Sequence, residues 1–414
     1  MPKMEKELCE NNYENAQVTI MDARDITDHE QLVMKGDLVG NTAYSAKWIL
    51  KTLLTLSKID EDPENGWSED LETDLCFLWD MTTENDIVEY LIENNFLPIA
   101  EYILKIPENY RMKEIIIGII GNMCSQPKAL LHIANMDDLI ETILILLTSS
   151  DTETLIQVLR ILQAAMWDIQ RNNSSKWMDT LVQCKFLGQS LTFILESSTN
   201  ETLLAAVLAL LQSIALVEPN NDSWLLHEIV QIEPLISALK SSFSQLISIN
   251  DDIYTEMKQE NVKNWLDIVS NLLQKHQSTL HITNYLDIIN ILVTILDREK
   301  IDLFPLEETK ALCVYKCIEC IYWFQQKKNY KIYLKDISII IIIMEKLNSA
   351  LMANPADETT KELLRYIERY WLKLIEQYNT IDIIELLKYC PSETKDYLIN
   401  FMTDNGSVDC NIIL

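Results

Sequence analysis

Glycine and proline are scarce in this chain, at 7 and 10 of 414 residues, and that shortage argues against a strand-rich fold built on tight hairpins. Positive charge is also short. Lys and Arg number 34 against 63 Asp and Glu, a net of −29, so the chain is expected to bind neither nucleic-acid backbones nor anionic membranes. No apolar run approaches the length of a membrane span; the densest, Ile337 to Met344, reads as a buried helix. The first residues, Met-Pro-Lys-Met-Glu-Lys-Glu-Leu, lack the apolar core of a secretion signal. Nine cysteines at irregular spacing, an odd number, do not suggest a disulfide framework and point to a reducing compartment.

What is present is a repeat. Leu147 to Leu155 (Leu-Thr-Ser-Ser-Asp-Thr-Glu-Thr-Leu) returns at Leu195 to Leu203 as Leu-Glu-Ser-Ser-Thr-Asn-Glu-Thr-Leu. In each copy a Ser precedes a Glu by three positions, Ser150 with Glu153 and Ser198 with Glu201, which predicts a capping box at the start of a helix. Apolar residues follow at three- and four-residue steps: Leu155, Ile156, Leu159 and Leu162, then Leu203, Leu204, Val207 and Leu211. Ile143, Leu144 and Leu147, and Phe193, Ile194 and Leu195, form the apolar stretches before each turn. Second-helix centres are expected near Ile120, Leu162, Leu211, Leu272, Ile318 and Tyr370, with joints near Pro107, Pro127, Asn173, Pro219, Asn250, Pro305 and Pro355. That spacing suits armadillo or HEAT units better than shorter repeats.

The expected fold is therefore all-α, an armadillo/HEAT-like helical solenoid with a disordered N-terminal tail. Residues 1–37 read as the acidic tail, 38–404 as the solenoid with an acidic linker at 57–70, and 405–414 as a frayed end. Ahead of the repeats, one helix is expected over Tyr44 to Leu56 (Tyr44, Trp48, Leu50, Leu53, Leu54, Leu56). Another opens at Ser68 (Leu71, Leu75, Leu78, Trp79, Met81). Residues 1–75 hold 17 acids and 7 bases, an excess that favours basic partners.

Three segments carry a likeness to a known family: Gly40-Asn-Thr-Ala-Tyr44-Ser-Ala-Lys-Trp48, then Leu75-Cys-Phe-Leu-Trp79-Asp80-Met81 followed by Asp86, then Glu114-Ile-Ile-Ile-Gly118-Ile-Ile-Gly121-Asn122-Met123. Together they resemble the serum-amyloid-A-like-1 proteins, also called synoviocyte-proliferation-associated proteins, from about Gly40 to about Gln274. The resemblance implies an armadillo-like fold, residence in the nucleus or cytoplasm, a link to cell proliferation and no catalytic activity. It supplies no residue-level function.

Catalytic readings lack parts. Cys313, Cys317 and Cys320 match the spacing of an iron–sulfur loop but fall at helical i, i+4, i+7 steps, which marks a buried stripe. His227-Glu228-Ile-Val-Gln231 lacks the second His of a zinc-protease motif. His276 and His281 lie off a common helical face, and Cys410 is one place from a prenylation position. Gly118 and Gly121 lie inside an apolar helix and suggest close helix approach rather than a phosphate loop. Neither cofactor nor metal is expected.

In stacked helical units one helix of each repeat lines a continuous surface, where recurring amides can bond to the backbone of an extended peptide. Asn122, Gln163, Gln212 and Asn271 occupy comparable places near the ends of their helices. The residue four before Asn122 is Gly118, where nuclear-import receptors carry Trp, which speaks against capture of import signals. Trp48 and Trp79 are candidate anchors, with Asp80, beside Trp79, as partner contact or helix cap. The lysines 327, 328, 331 and 335, interleaved with Tyr330 and Tyr333, read as an exposed loop. The leading reading is a non-enzymatic adaptor that binds basic or extended protein segments, with a chaperone cofactor that speeds nucleotide release as the alternative. Oligomeric state is not legible.

Overall fold

The computed structural model describes residues 36–59, 67–107, 109–172, 175–218, 224–246, 256–275, 285–328 and 331–405. The expected tail over 1–37 lies outside them except for Gly36 and Asp37, as do half of the 57–70 linker, the Asn173, Pro219 and Asn250 joints, His276, His281 and Cys410. The described residues form helices and no strand; one isolated bridge joins Leu38 and Ser45. The stretch read as a single solenoid over 38–404 divides into two compact units, ending at Phe96 and beginning at Leu97.

The first unit holds α1 (Ala46–Leu56), α2 (Glu69–Met81) and α3 (Asn85–Glu93). Its helices start where short polar side chains take orphan backbone N–H groups: Ser45 Oγ accepts from Trp48 N, and Ser68 Oγ from Leu71 N. Asp37 reinforces the first cap, its carboxylate accepting from Ser45 Oγ and Lys47 N. Those two bonds hold its carboxyl below the usual range. In α1 the buried stripe is Ile49, Thr52, Leu53 and Leu56, while Leu50 and Leu54, expected inside, are exposed. The 100° step per residue explains the correction, because Ile49, not Leu50, shares a face with Leu53 and Leu56.

The second unit runs from α4 (Phe96–Leu104, whose first residue closes the first unit) through α5 (Tyr110–Met123), α6 (Pro127–Ala134), α7 (Asp137–Ile145), a 3-10 turn (Leu146–Thr148) and α8 (Thr152–Arg171). It continues with α9 (Lys176–Gln183), α10 (Leu187–Ser197), α11 (Glu201–Ala215), α12 (Leu225–Ile229), α13 (Ile232–Leu246) and α14 (Glu256–Lys275). It ends with α15 (Tyr285–Ile301), α16 (Glu308–Lys328), α17 (Leu334–Ala353), α18 (Glu358–Ile375), α19 (Thr380–Leu387) and α20 (Ser392–Asp404).

Two rows of helices result. In the first, α5 packs on α8, α8 on α11, α11 on α14, α14 on α16 and α16 on α18; in the second, α10 packs on α13, α13 on α15 and α15 on α17. This is a helical solenoid, since each unit is stabilised chiefly by its neighbours. All six expected second-helix centres lie on the first row, one per helix. Up to α14 the units are triplets with a short opening helix (α6, α9, α12), as in armadillo repeats; from α15 they are pairs, as in HEAT repeats. The irregular spacing of the sequence signal has that cause.

In α8 the residues Leu155, Val158, Leu159, Leu162, Ala165, Met166 and Ile169 are buried, whereas Arg160, Gln163 and Trp167 are exposed. Each buried Leu or Ile contributes about 1.5–3 kcal/mol, so truncating Leu162 to Ala is expected to cost about 2–5 kcal/mol. The helix starts are corrected. Asp151, not Ser150, caps α8 by accepting from Thr154 N, and Asn200, not Ser198, caps α11 by accepting from Leu203 N. Ser149 and Ser198 sit two residues before these caps, accepting from Asp151 N and Asn200 N in short turns that present those better caps. Phe193, expected to be apolar filling before its turn, is 68% exposed.

Candidate protein-interaction face

The first row places the four expected amides on consecutive helices: Asn122 on α5, Gln163 on α8, Gln212 on α11 and Asn271 on α14. Each spends hydrogen-bonding capacity on the scaffold. Arg160 Nη2 donates to Asn122 Oδ1 at 2.9 Å, Gln163 Nε2 to Ser213 Oγ at 2.6 Å, and Gln212 Nε2 to Asp267 Oδ2 at 3.1 Å. Asn271 Nδ2 donates to Asp267 O at 2.9 Å within its own helix. These bonds fix the rotamers of long polar side chains, which lowers the entropy lost when a ligand binds. In Gln163, Gln212 and Asn271 the amide nitrogen is thus committed, and among the described residues no donor is bonded to the side-chain oxygen. Three side-chain oxygens on neighbouring helices thus have no donor among the described residues.

The polar chain continues past α14. Asp267, buried, also receives Lys316 Nζ of α16. Glu319 of α16 accepts from Ser270 Oγ at 3.3 Å and from Gln274 Nε2 and Tyr315 OH at 3.4 Å. Further along, Tyr370 OH of α18 donates to Gln325 Oε1 at 3.2 Å, and the rings of Tyr315 and Tyr366 lie 4.3 Å apart. Burial raises the phenol pKa of Tyr370 and Tyr366 well above the ordinary tyrosine value. Side chains of Ser270, Gln274, Glu319, Tyr322, Trp323 and Lys327 line an open cleft between α14 and α16.

Sequence reading missed the main aromatic of this face. Trp167, one turn after Gln163 on α8, is 41% exposed, and the Arg171 guanidinium lies 3.9 Å from its ring centroid. Gln170 Nε2 donates to Ser213 O at 3.3 Å, and Leu216, exposed, follows at the end of α11. The i, i+4 relation of Gln163 and Trp167 was visible in the sequence as a polar residue and an indole outside the apolar stripe. The tryptophans that were singled out, Trp48 and Trp79, are half-buried in the first unit. Asp80 lies exposed in the last turn of α2, and Thr83 N–H and Oγ donate to its backbone carbonyl, so its carboxylate is not the cap. Trp48, Trp79 and Asp80 belong to the first unit and the four amides to the second.

Cys313, Cys317 and Cys320 form a buried stripe on α16, and desolvation pushes the thiols of Cys313 and Cys320 up to about 12. His227 and Glu228 lie on the five-residue α12, which ends before Gln231; burial beside Trp224 lowers the imidazole pKa. Among the described residues no group of three His, Cys, Asp or Glu could hold a metal ion, no helix is long and apolar enough to cross a membrane, and none of the seven cysteines is joined in a disulfide. Gly121 is corrected as well. A β-carbon there would reach only ordinary contact with Ile161 and Arg160, so close helix approach is not its reason.

No family model matches this sequence. Protein saal1 of Danio rerio is 30% identical over 175 residues, covering 41% of this chain and 37% of that protein. Protein SAAL1 of Homo sapiens is 28% identical over 174 residues, covering 39% of this chain and 36% of that protein. The chain thus matches a little over a third of the length of these curated relatives. Among solved structures, computationally designed armadillo repeat proteins for modular peptide recognition are similar with a TM-score of 0.42 at 17% identity, covering 66% of this chain and 98% of that chain. A designed armadillo repeat protein in complex with peptide (KR)4 gives a TM-score of 0.41 at 17% identity, with the same coverage.

Proposed function

We propose that this protein is a non-enzymatic scaffold that holds an extended polypeptide along the α8–α11–α14 face, with the chain's acidic surplus favouring polypeptides that carry basic flanks. One observation carries the reading. Gln163, Gln212 and Asn271 sit on three successive helices with their nitrogens pinned and their oxygens unbonded, at the roughly 10 Å spacing of packed helices, which an extended peptide covers in about three residues. Trp167 supplies a rigid anchor beside them. The attraction for basic flanks rests on charge: residues 36–96 hold fourteen acids and three bases. Residence in the nucleus or cytoplasm and a part in growth control rest on the family resemblance.

Selection of a displayed library of extended peptides on the full chain tests this. The expected result is a set of binders, enriched in Lys and Arg, that weaken about tenfold, or 1.4 kcal/mol, with Trp167→Ala or Gln212→Ala and are indifferent to Phe193→Ala. No enriched sequences, or binders insensitive to both ladder variants, would overturn it.

A further inference from the structure

The net charge of −29 is unevenly placed. Residues 36–96 carry −11, whereas residues 97–414, five times as many, carry −14 from 41 acids and 27 bases. Arginine is more selective still. Of the chain's seven arginines, five lie on first-row helices and all five are exposed: Arg111 on α5, Arg160 and Arg171 on α8, Arg365 and Arg369 on α18. Arg160 and Arg171 are occupied by the Asn122 amide and the Trp167 ring.

The α18 pair is different. Arg365, Arg369 and Lys373 follow at four-residue steps, which sets three cations on one side of the helix within about 12 Å. None of the three has a carboxylate within ion-pair distance among the described residues, although Lys361 on the same helix pairs with Glu358. The Lys373 ammonium lies 5.4 Å from the Tyr322 ring centroid of α16, and Lys327 is exposed at the end of that helix. The acids nearby do not neutralise the row. Glu362 and Glu376 bracket it, Glu319 is taken up by Ser270, Gln274 and Tyr315, and Glu368 is half-buried, with desolvation raising its pKa against the opposing pull of Arg365.

An unpaired row of two guanidiniums and an ammonium is suited to carboxylates, which a guanidinium grips in two-pronged fashion. The chain itself carries the complement. On α2 the residues Glu69, Asp70 and Asp74 are exposed or half-exposed and likewise lack ion pairs among the described residues. We infer that the α18 row docks the acidic first unit of a second copy of this chain, a head-to-tail contact. Such a contact is heterologous, and it propagates with concentration unless it closes into a ring.

Sedimentation velocity of the full chain across a concentration series, at about 0.05 M and about 0.5 M salt, tests the inference. Association is expected at low salt and about tenfold weaker at high salt. The reversal Arg365→Glu with Arg369→Glu and Lys373→Glu should leave a monomer, and so should Glu69→Lys with Asp70→Lys and Asp74→Lys. Mixing the two variants makes both contacts complementary again, so concentration-dependent association of alternating copies should return, which also shows that both are folded. A wild-type chain that stays monomeric at low salt, including one whose row instead retains single-stranded RNA, overturns the inference. So does association that survives in each variant alone, or a mixture that fails to assemble although both variants keep native circular dichroism.

Discussion

The Asp86 carboxylate accepts a hydrogen bond from Asn41 N–H at 2.7 Å and fills the space where a β-carbon on Gly40 would stand. Gly40 has φ +51, a conformation that costs other residues strain, so backbone angle and steric room both require glycine. The contact ties the segment before α1 to the start of α3 across 45 residues. Gly40→Ala is expected to destabilise the first unit by about 1–3 kcal/mol. Asp86→Ala alone is expected to cost about 1 kcal/mol, and the double variant less than the sum, because removing the carboxylate relieves the clash. Denaturant melts of the four proteins check this; simple additivity would mean the two residues do not touch.

Gly188 and Gly121 are expected to respond oppositely to a methyl group. At Gly188, on α10, a β-carbon would collide with the backbone carbonyl of Ile229, a rigid neighbour, whereas at Gly121 the neighbours are side chains at ordinary contact. Gly188→Ala should lower stability by about 1–3 kcal/mol, and Gly121→Ala should raise it by about 0.5–1 kcal/mol through helix propensity. Thermal unfolding of both variants beside the parent decides.

The cap of α8 gives a similar contrast between adjacent residues. Asp151→Ala should cost about 1 kcal/mol, since it strands Thr154 N–H and also breaks the bond from Thr154 Oγ1. Ser150→Ala should cost under about 0.5 kcal/mol, as expected of an exposed site without a special role. Equal losses at the two positions would restore the capping box read from the sequence.

Much of this fold was legible in the sequence, because apolar periodicity is a local property. The six first-row centres, the joints at Pro107, Pro127, Pro305 and Pro355 and the cysteine stripe on α16 follow from residue spacing alone. The caps were placed one or two residues early because Ser-x-x-Glu and Asp-x-x-Thr overlap, and only backbone angles choose between them. The face was half legible: Gln163 and Gln212 stood out as polar breaks in apolar helices. Their bonds to Ser213 and Asp267, some fifty residues away, depend on which helices pack together. Trp167 was passed over because an indole in an apolar helix reads as core until its neighbours are known.

The α16 thiols are expected to be inert in the folded protein. Only the thiolate reacts quickly, and with values near 12 Cys313 and Cys320 are protonated throughout the range in which the fold is handled. Iodoacetamide at about pH 8, followed by peptide mass mapping, should modify the half-exposed Cys76 and Cys184 well before Cys313, Cys317 or Cys320, and denaturant should remove the difference. Rapid native labelling on α16 would contradict the buried stripe.

The claim that the α8–α11–α14 face grips polypeptide is tested most directly by placing a photo-crosslinking side chain at position 167 and, separately, at position 193, which is still more exposed but lies on the second row. With a selected extended peptide present, crosslinks are expected from position 167 and not from 193. Equal crosslinking from both positions, or from 193 alone, would contradict the assignment of that face.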